Sequence, residues 1–160
     1  MNLLSSPKMD DFIMIDENYS LLLLEHSDID LTTAVLLDRV QKGKPINDSA
    51  VKRLRKEGLI EGRKPHFYVS KQIAKATNKQ VEYTLKKGFD DAECQEWVMK
   101  ALNDHEVLSR KQINELLWGK LPIDYSEKQK LSKIGNLLTK MRKQRVIWVD
   151  EDRLWHLSKK

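Results

Sequence analysis

The stretch "KRLRKEGLIEGRKPHFYVS", residues 52 to 70, sets six basic side chains ahead of alternating aromatic and aliphatic positions. Lys52, Arg53 and Lys56 stand in its helical part, and Arg63 and Lys64 stand at a turn. Cations grouped in this way suit a phosphate-facing surface, because each Lys or Arg that neutralises a phosphate releases condensed counterions. A second set, Gln129, Lys133, Asn136, Lys140 and Lys143, recurs at alternating spacings of four and three, the repeat of one side of a helix. Its lysines suit phosphates, and its Gln and Asn amides suit base edges. The competing reading makes both sets solvated helix faces.

Other chemistry finds little in the chain. There is no Walker-type Gly-rich loop and no GxSxG, and His26, His66, His105 and His156 are dispersed with no Cys or His at ligand spacing. The acid pairs Asp10-Asp11 and Asp90-Asp91 fit an exposed arm and a helix start better than acid–base catalysis. The single cysteine, Cys94, excludes an internal disulfide and reads as a small buried hydrophobe. Trp97, Trp118, Trp148 and Trp155 read as core or hairpin residues, with base stacking by Trp148 or Trp155 as the alternative. No enzyme, cofactor or metal site is expected.

The elements that must position these residues are those of a soluble domain protein: 160 residues, 40% hydrophobic and 33% charged. The longest apolar run near the start, Leu21 to Leu24, is far too short for a membrane span or a signal-peptide core, so no membrane contact and a cytoplasmic location are expected. The formal charge is only +5, yet it is segregated. Residues 1 to 38 hold one lysine against eight acids, residues 39 to 64 nine bases against three acids, and residues 128 to 145 seven bases and no acid.

Residues 1–18 read as an irregular or strand-like N-terminal arm. A first module over 19–70 opens with a short apolar helix from Tyr19 to about His26. Asp30 caps the next helix and Gly43 ends it; Asn47 or Asp48 caps a third, with Val51, Leu54 and Gly58 marking its inner face and end. Two strands then meet at a turn containing Gly62 and Pro65. Residues 71–89 read as a connecting helix with Ile73, Ala74, Thr77 and Val81 on one side. The second module, 90–160, has helices starting at Asp90 or Asp91, Ser109 and about Ser126, then the hairpin "VIWVDEDRLWHLS". Ile134, Leu137, Leu138 and Met141 form the apolar stripe of its long helix.

The joints repeat. "LRKEGLI" at 54 to 60 matches "MRKQRVI" at 141 to 147, and the hairpins end in "FYVS" and "WHLS". Three helices and a hairpin are the order of a winged helix-turn-helix, whose last helix normally enters the major groove while the wing touches phosphate. In the first module Lys52, Arg53 and Lys56 project outward and Arg63 and Lys64 mark the wing tip. The second wing tip, Asp150-Glu151-Asp152, is acidic and is expected to be repelled by a phosphate backbone.

The pieces "LLDRVQKGKPI" at 36 to 46, "LRKEGLIEGRKP" at 54 to 65 and "NLLTKMRKQRVIWV" at 136 to 149 resemble the C-terminal part of bacterial RecG-related ATP-dependent helicase-like proteins and transcriptional regulators. The similarity runs over about residues 15 to 158. It implies a tandem winged-helix tail that in full-length relatives follows a divergent nucleotide-binding-like domain; ATP-linked activity does not carry over with it.

The expectation is therefore a mainly helical α+β protein of two winged-helix modules that binds double-stranded DNA. The alternative is a protein-interaction or dimerisation tail, which would pack against that further domain or against a second copy.

Overall fold

A computed structural model describes Glu25 and residues 29–159. The arm at 1–18 and, apart from Glu25, the apolar helix at Tyr19 to His26 lie outside the described residues. The described residues are mixed α+β, with two small antiparallel sheets, and the chain divides into two compact units after Tyr83.

In unit 1, Asp30 begins helix α1 (Leu31–Gln41) by accepting the Thr33 N–H at 2.7 Å, and Asn47 begins α2 (Asp48–Lys56) by accepting the Ala50 N–H at 2.8 Å. Each satisfies an amide that the helix itself leaves unpaired. Strands β1 (Ile60–Arg63) and β2 (His66–Val69) pair from Ile60↔Val69 to Arg63↔His66. Their turn is Lys64-Pro65, so Gly62, expected in the turn, lies within β1. Ala34, Leu37, Val40, Leu54, Ile60, Val69, Ile73 and Ala74 close the core.

The stretch expected to form one connecting helix is two, α3 (Lys71–Ala76) and α4 (Gln80–Lys87). The buried Thr77 returns its hydroxyl to the Ile73 carbonyl at 2.8 Å, and Asn78 turns left-handed at φ 55°, a conformation Asn tolerates. The Lys79 N–H then donates to Ala74 O at 2.7 Å and ends α3. Ile73, Ala74 and Thr77 are buried as a set, whereas Val81, expected on their side, is 75% exposed. Tyr83 donates to Glu61 Oε2 at 3.2 Å; burial first, and then the Glu61 charge, push the phenol up to about 12.

Unit 2 runs α5 (Asp91–His105), β3 (Val107–Ser109), α6 (Arg110–Trp118), α7 (Glu127–Lys143), β4 (Ile147–Val149) and β5 (Leu154–Leu157). Asp90, Ser109 and Ser126 each cap their helix, and the N3 residues Glu93, Gln112 and Gln129 reach back to the cap amide, so three helix starts are capping boxes. Strand β3, which sequence periodicity does not reveal at three residues, joins the hairpin in a sheet of order β3-β5-β4. The core holds Val98, Leu102, Ile113, Leu117, Ile134, Leu138, Met141 and Ile147, all at most 1% exposed. Cys94 is buried among them, as its helical position suggests, and burial pushes its thiol up to about 11. Among the described residues no helix is long and apolar enough to cross a membrane.

The helix–hairpin joints repeat bond for bond. Leu54 and Met141 are buried at the helix end, and the αL positions are Gly58 at φ 70° and Arg145 at φ 57°. Leu59 N–H donates to Leu54 O at 2.9 Å, as Val146 N–H does to Met141 O at 3.0 Å. Ser70 N–H closes onto Leu59 O and Ser158 N–H onto Val146 O, each at 2.9 Å. The sequence match between the two stretches thus has a shared geometry: a C-terminal helix cap that aims the chain into a hairpin.

Candidate nucleic-acid interface

Unit 1 exposes Lys52, Arg53, Lys56, Arg63 and Lys64, as expected. They differ in what holds them. Arg53 Nη2 donates to Thr33 Oγ1 at 3.0 Å, which ties its guanidinium to the start of α1. Beside it, the Thr33 hydrogen bonds and then the Arg53 charge hold the Asp30 carboxyl below its usual range. Lys64 Nζ stands 3.5 Å from Asp48 Oδ1 in an ion pair open to water, a contact of little energy. Arg55 is structural: it donates to the Gly62 carbonyl and lies over the Phe67 ring at 5.6 Å, fastening α2 to its hairpin.

In unit 2 the expected row on α7 divides. Asn136 and Lys143 are exposed. Gln129, expected to read base edges, is committed to the capping box: its Oε1 accepts the Ser126 N–H at 2.8 Å. Lys133 Nζ lies 2.6 Å from Asp91 Oδ1 and Lys140 Nζ 3.6 Å from Asp91 Oδ2. These two lysines therefore face the first turn of α5. The Lys133 hydrogen bond, ahead of the Lys133 and Lys140 charges, holds the Asp91 carboxyl below its usual range.

The stripe that does face solvent is Lys128, Ser132, Asn136, Thr139 and Lys143, all exposed and opposite Ile134, Leu137, Leu138 and Met141. Ser132 and Thr139 escape a reading that seeks cations and amides alone. The signal that finds them is angular: they recur at steps of four and three counted from Asn136, on the side away from the buried set. Lys130 lies off this stripe, its Nζ 3.3 Å from the Trp118 carbonyl at the end of α6.

The hairpin tip is less repulsive than its three acids suggest. Asp150 Oδ1 accepts the Leu154 N–H at 2.8 Å and Oδ2 sits 2.6 Å from His156 Nε2. The His156 bond, then the Leu154 amide, hold the Asp150 carboxyl below its usual range. Asp150 therefore closes the turn, leaving Glu151 and Asp152 exposed.

The sheet's outer surface carries Val107, His156 and Trp148 side by side across β3, β5 and β4. Trp148 stacks on His156 at 4.3 Å and 13° and is 47% exposed. An open groove of about 1470 Å³ runs here, lined also by Met99, Leu102, Arg145 and Leu157. Trp155 faces the other way and packs against the core, so of the two candidate stacking residues only Trp148 is presented to solvent.

No family model, curated protein or solved structure matches the chain. The functional reading therefore rests on the chain's own residues.

Proposed function

We propose that the chain is a tandem winged-helix region that binds double-stranded DNA, with α7 as the groove-facing helix of unit 2 and α2 as its counterpart in unit 1. One observation carries the reading. Unit 2 combines helix, strand, helix, helix and hairpin, closes a β3-β5-β4 sheet, and leaves on the helix before the hairpin a lysine-flanked stripe of Ser132, Asn136 and Thr139. A winged helix docks by that helix, with small polar side chains at base edges and cations at phosphates. Lys52, Lys56 and Arg63 supply the corresponding cations of unit 1. A regulatory or helicase-related role is the part of this proposal that comes from the RecG-related resemblance alone.

The test is fluorescence anisotropy of a labelled mixed-sequence duplex titrated at several salt concentrations. The reading expects affinity to fall with salt at a slope of about 0.9 per neutralised phosphate, summing to several phosphates. Absence of binding at low salt overturns it.

A second reading, protein interaction or self-association, is favoured by the groove over Trp148 and Val107. Sedimentation of the wild type and Trp148→Ala separates it: a dimer lost on substitution supports the groove as an interface, and a monomer at all concentrations removes self-association.

A further inference from the structure

Lys133 and Lys140 are seven residues apart on α7, nearly two turns or about 10 Å along the helix axis, yet both ammonium groups converge on the one carboxylate of Asp91. Each takes a different oxygen, Lys133 at Oδ1 and Lys140 at Oδ2. That is the arrangement two lysines would adopt around the two non-bridging oxygens of a phosphodiester. Asp91 is moreover the first residue of α5, directly after the Asp90 capping box, where the helix end favours negative charge. The three groups are partly exposed, with side chains 34%, 52% and 43% accessible for Lys133, Lys140 and Asp91, so solvent and a ligand can reach them.

We propose that Asp91 is an internal phosphate mimic: its carboxylate occupies the anion position that Lys133, Lys140 and the α5 N-terminus would otherwise offer to a nucleic-acid phosphate, and so sets the affinity and salt dependence of unit 2. This rests on the DNA-binding reading and adds its regulation. Of the row read from sequence, Lys133 and Lys140 are then cations held in reserve, while Lys143 and Lys128 stand ready on the open stripe. A backbone phosphate that engages the reserve pair must displace one carboxylate oxygen, exchanging one ion pair for another with little net gain. Removing the carboxylate leaves two cations and a helix N-terminus facing the same point.

The experiment compares the wild type, Asp91→Asn and Asp104→Asn on the same labelled duplex across salt. Asp104 is exposed at the far end of α5, about 20 Å from Asp91 at 1.5 Å per residue, so Asp104→Asn changes net charge equally without touching the cluster. The expected result is an Asp91→Asn affinity about tenfold above wild type at low salt, with a slope steeper by about one to two phosphates, and an Asp104→Asn affinity close to wild type. Lys140→Gln, made in the wild type and in the Asp91→Asn variant, supplies an independent measure: its loss of affinity is larger where the carboxylate has been removed. Thermal unfolding of each variant confirms that folded protein is compared. Salt-dependent wild-type binding with Asp91→Asn and Asp104→Asn indistinguishable, or with equal Lys140→Gln effects in both backgrounds, overturns the inference and leaves the DNA reading standing. No binding by any variant at low salt overturns both.

Discussion

At the scale of single residues, charge identity predicts less than charge partnership. Arg53, Arg55, Lys130, Lys133 and Lys140 all count as basic in the sequence, yet the first two fasten α2 to α1 and to its hairpin, the third ends α6, and the last two hold Asp91. None of these partners is adjacent in sequence, so no local pattern reveals them; Lys133 and Asp91 are 42 residues apart. The acid at the hairpin tip shows the same thing with a measurable consequence. Asp150 has its folded pKa depressed by His156 and the Leu154 amide. The stabilisation it gives is complete above the ordinary aspartate value near 4 and is lost as pH falls through the lower folded value. Asp150→Asn should therefore lower unit 2's stability at neutral pH and flatten its decline below about pH 4. Tryptophan-monitored urea unfolding between about pH 2.5 and 7 tests this, and a variant whose acid limb matches wild type would show that the carboxylate does not hold the turn.

At the scale of elements, starts and stops were the most legible features. Asp30, Ser109 and Ser126 can be picked out, and Asn47 and Asp90 narrowed to pairs with Asp48 and Asp91, because capping chemistry is local, the acceptor and its amides lying within one turn. The break at Thr77-Asn78 was not legible, since nothing in "AKATNKQ" forbids a helix until a buried hydroxyl turns back onto Ile73. Strand β3 exists only because β5 pairs with it, and three residues carry no period of their own. The repeated joints yield a prediction at this scale. Gly58 at φ 70° has open space around a would-be Cβ, so Gly58→Ala should cost about 1 kcal/mol, the left-handed penalty alone. Arg145 occupies the same position at φ 57°, and Arg145→Gly should gain up to about 1 kcal/mol. Gly62→Ala differs in kind, because its Cβ would stand 2.3 Å from the His66 carbonyl oxygen and 2.9 Å from the Tyr68 ring, a clash worth roughly 3 kcal/mol. Chemical denaturation ranks the three; a destabilised Arg145→Gly would mean that the arginine side chain itself holds the joint.

At the scale of the whole molecule, the sequence conveys a repeated order of elements but not that each repeat closes its own core. The two buried clusters share no residue: one gathers Leu37, Leu54, Ile60 and Val69, the other Leu102, Ile113, Leu138 and Met141. All four tryptophans, Trp97, Trp118, Trp148 and Trp155, belong to unit 2, which makes indole fluorescence a reporter of that unit alone. Leu138 is 1% exposed and Leu54 is wholly buried, so truncating either to alanine should cost about 2–5 kcal/mol in its own core. Leu138→Ala is expected to move the fluorescence midpoint to lower denaturant. Leu54→Ala is expected to leave that midpoint in place and to shift an earlier, fluorescence-silent loss of helical circular dichroism. The same pair of variants then partitions binding: duplex affinity retained by Leu54→Ala under conditions that unfold unit 1 would locate the contact on α7, and affinity lost with unit 1 would require Lys52, Lys56 and Arg63. A fluorescence midpoint that moves equally for both variants would mean that the two cores unfold as one, and the two faces could then be weighed only by surface substitutions.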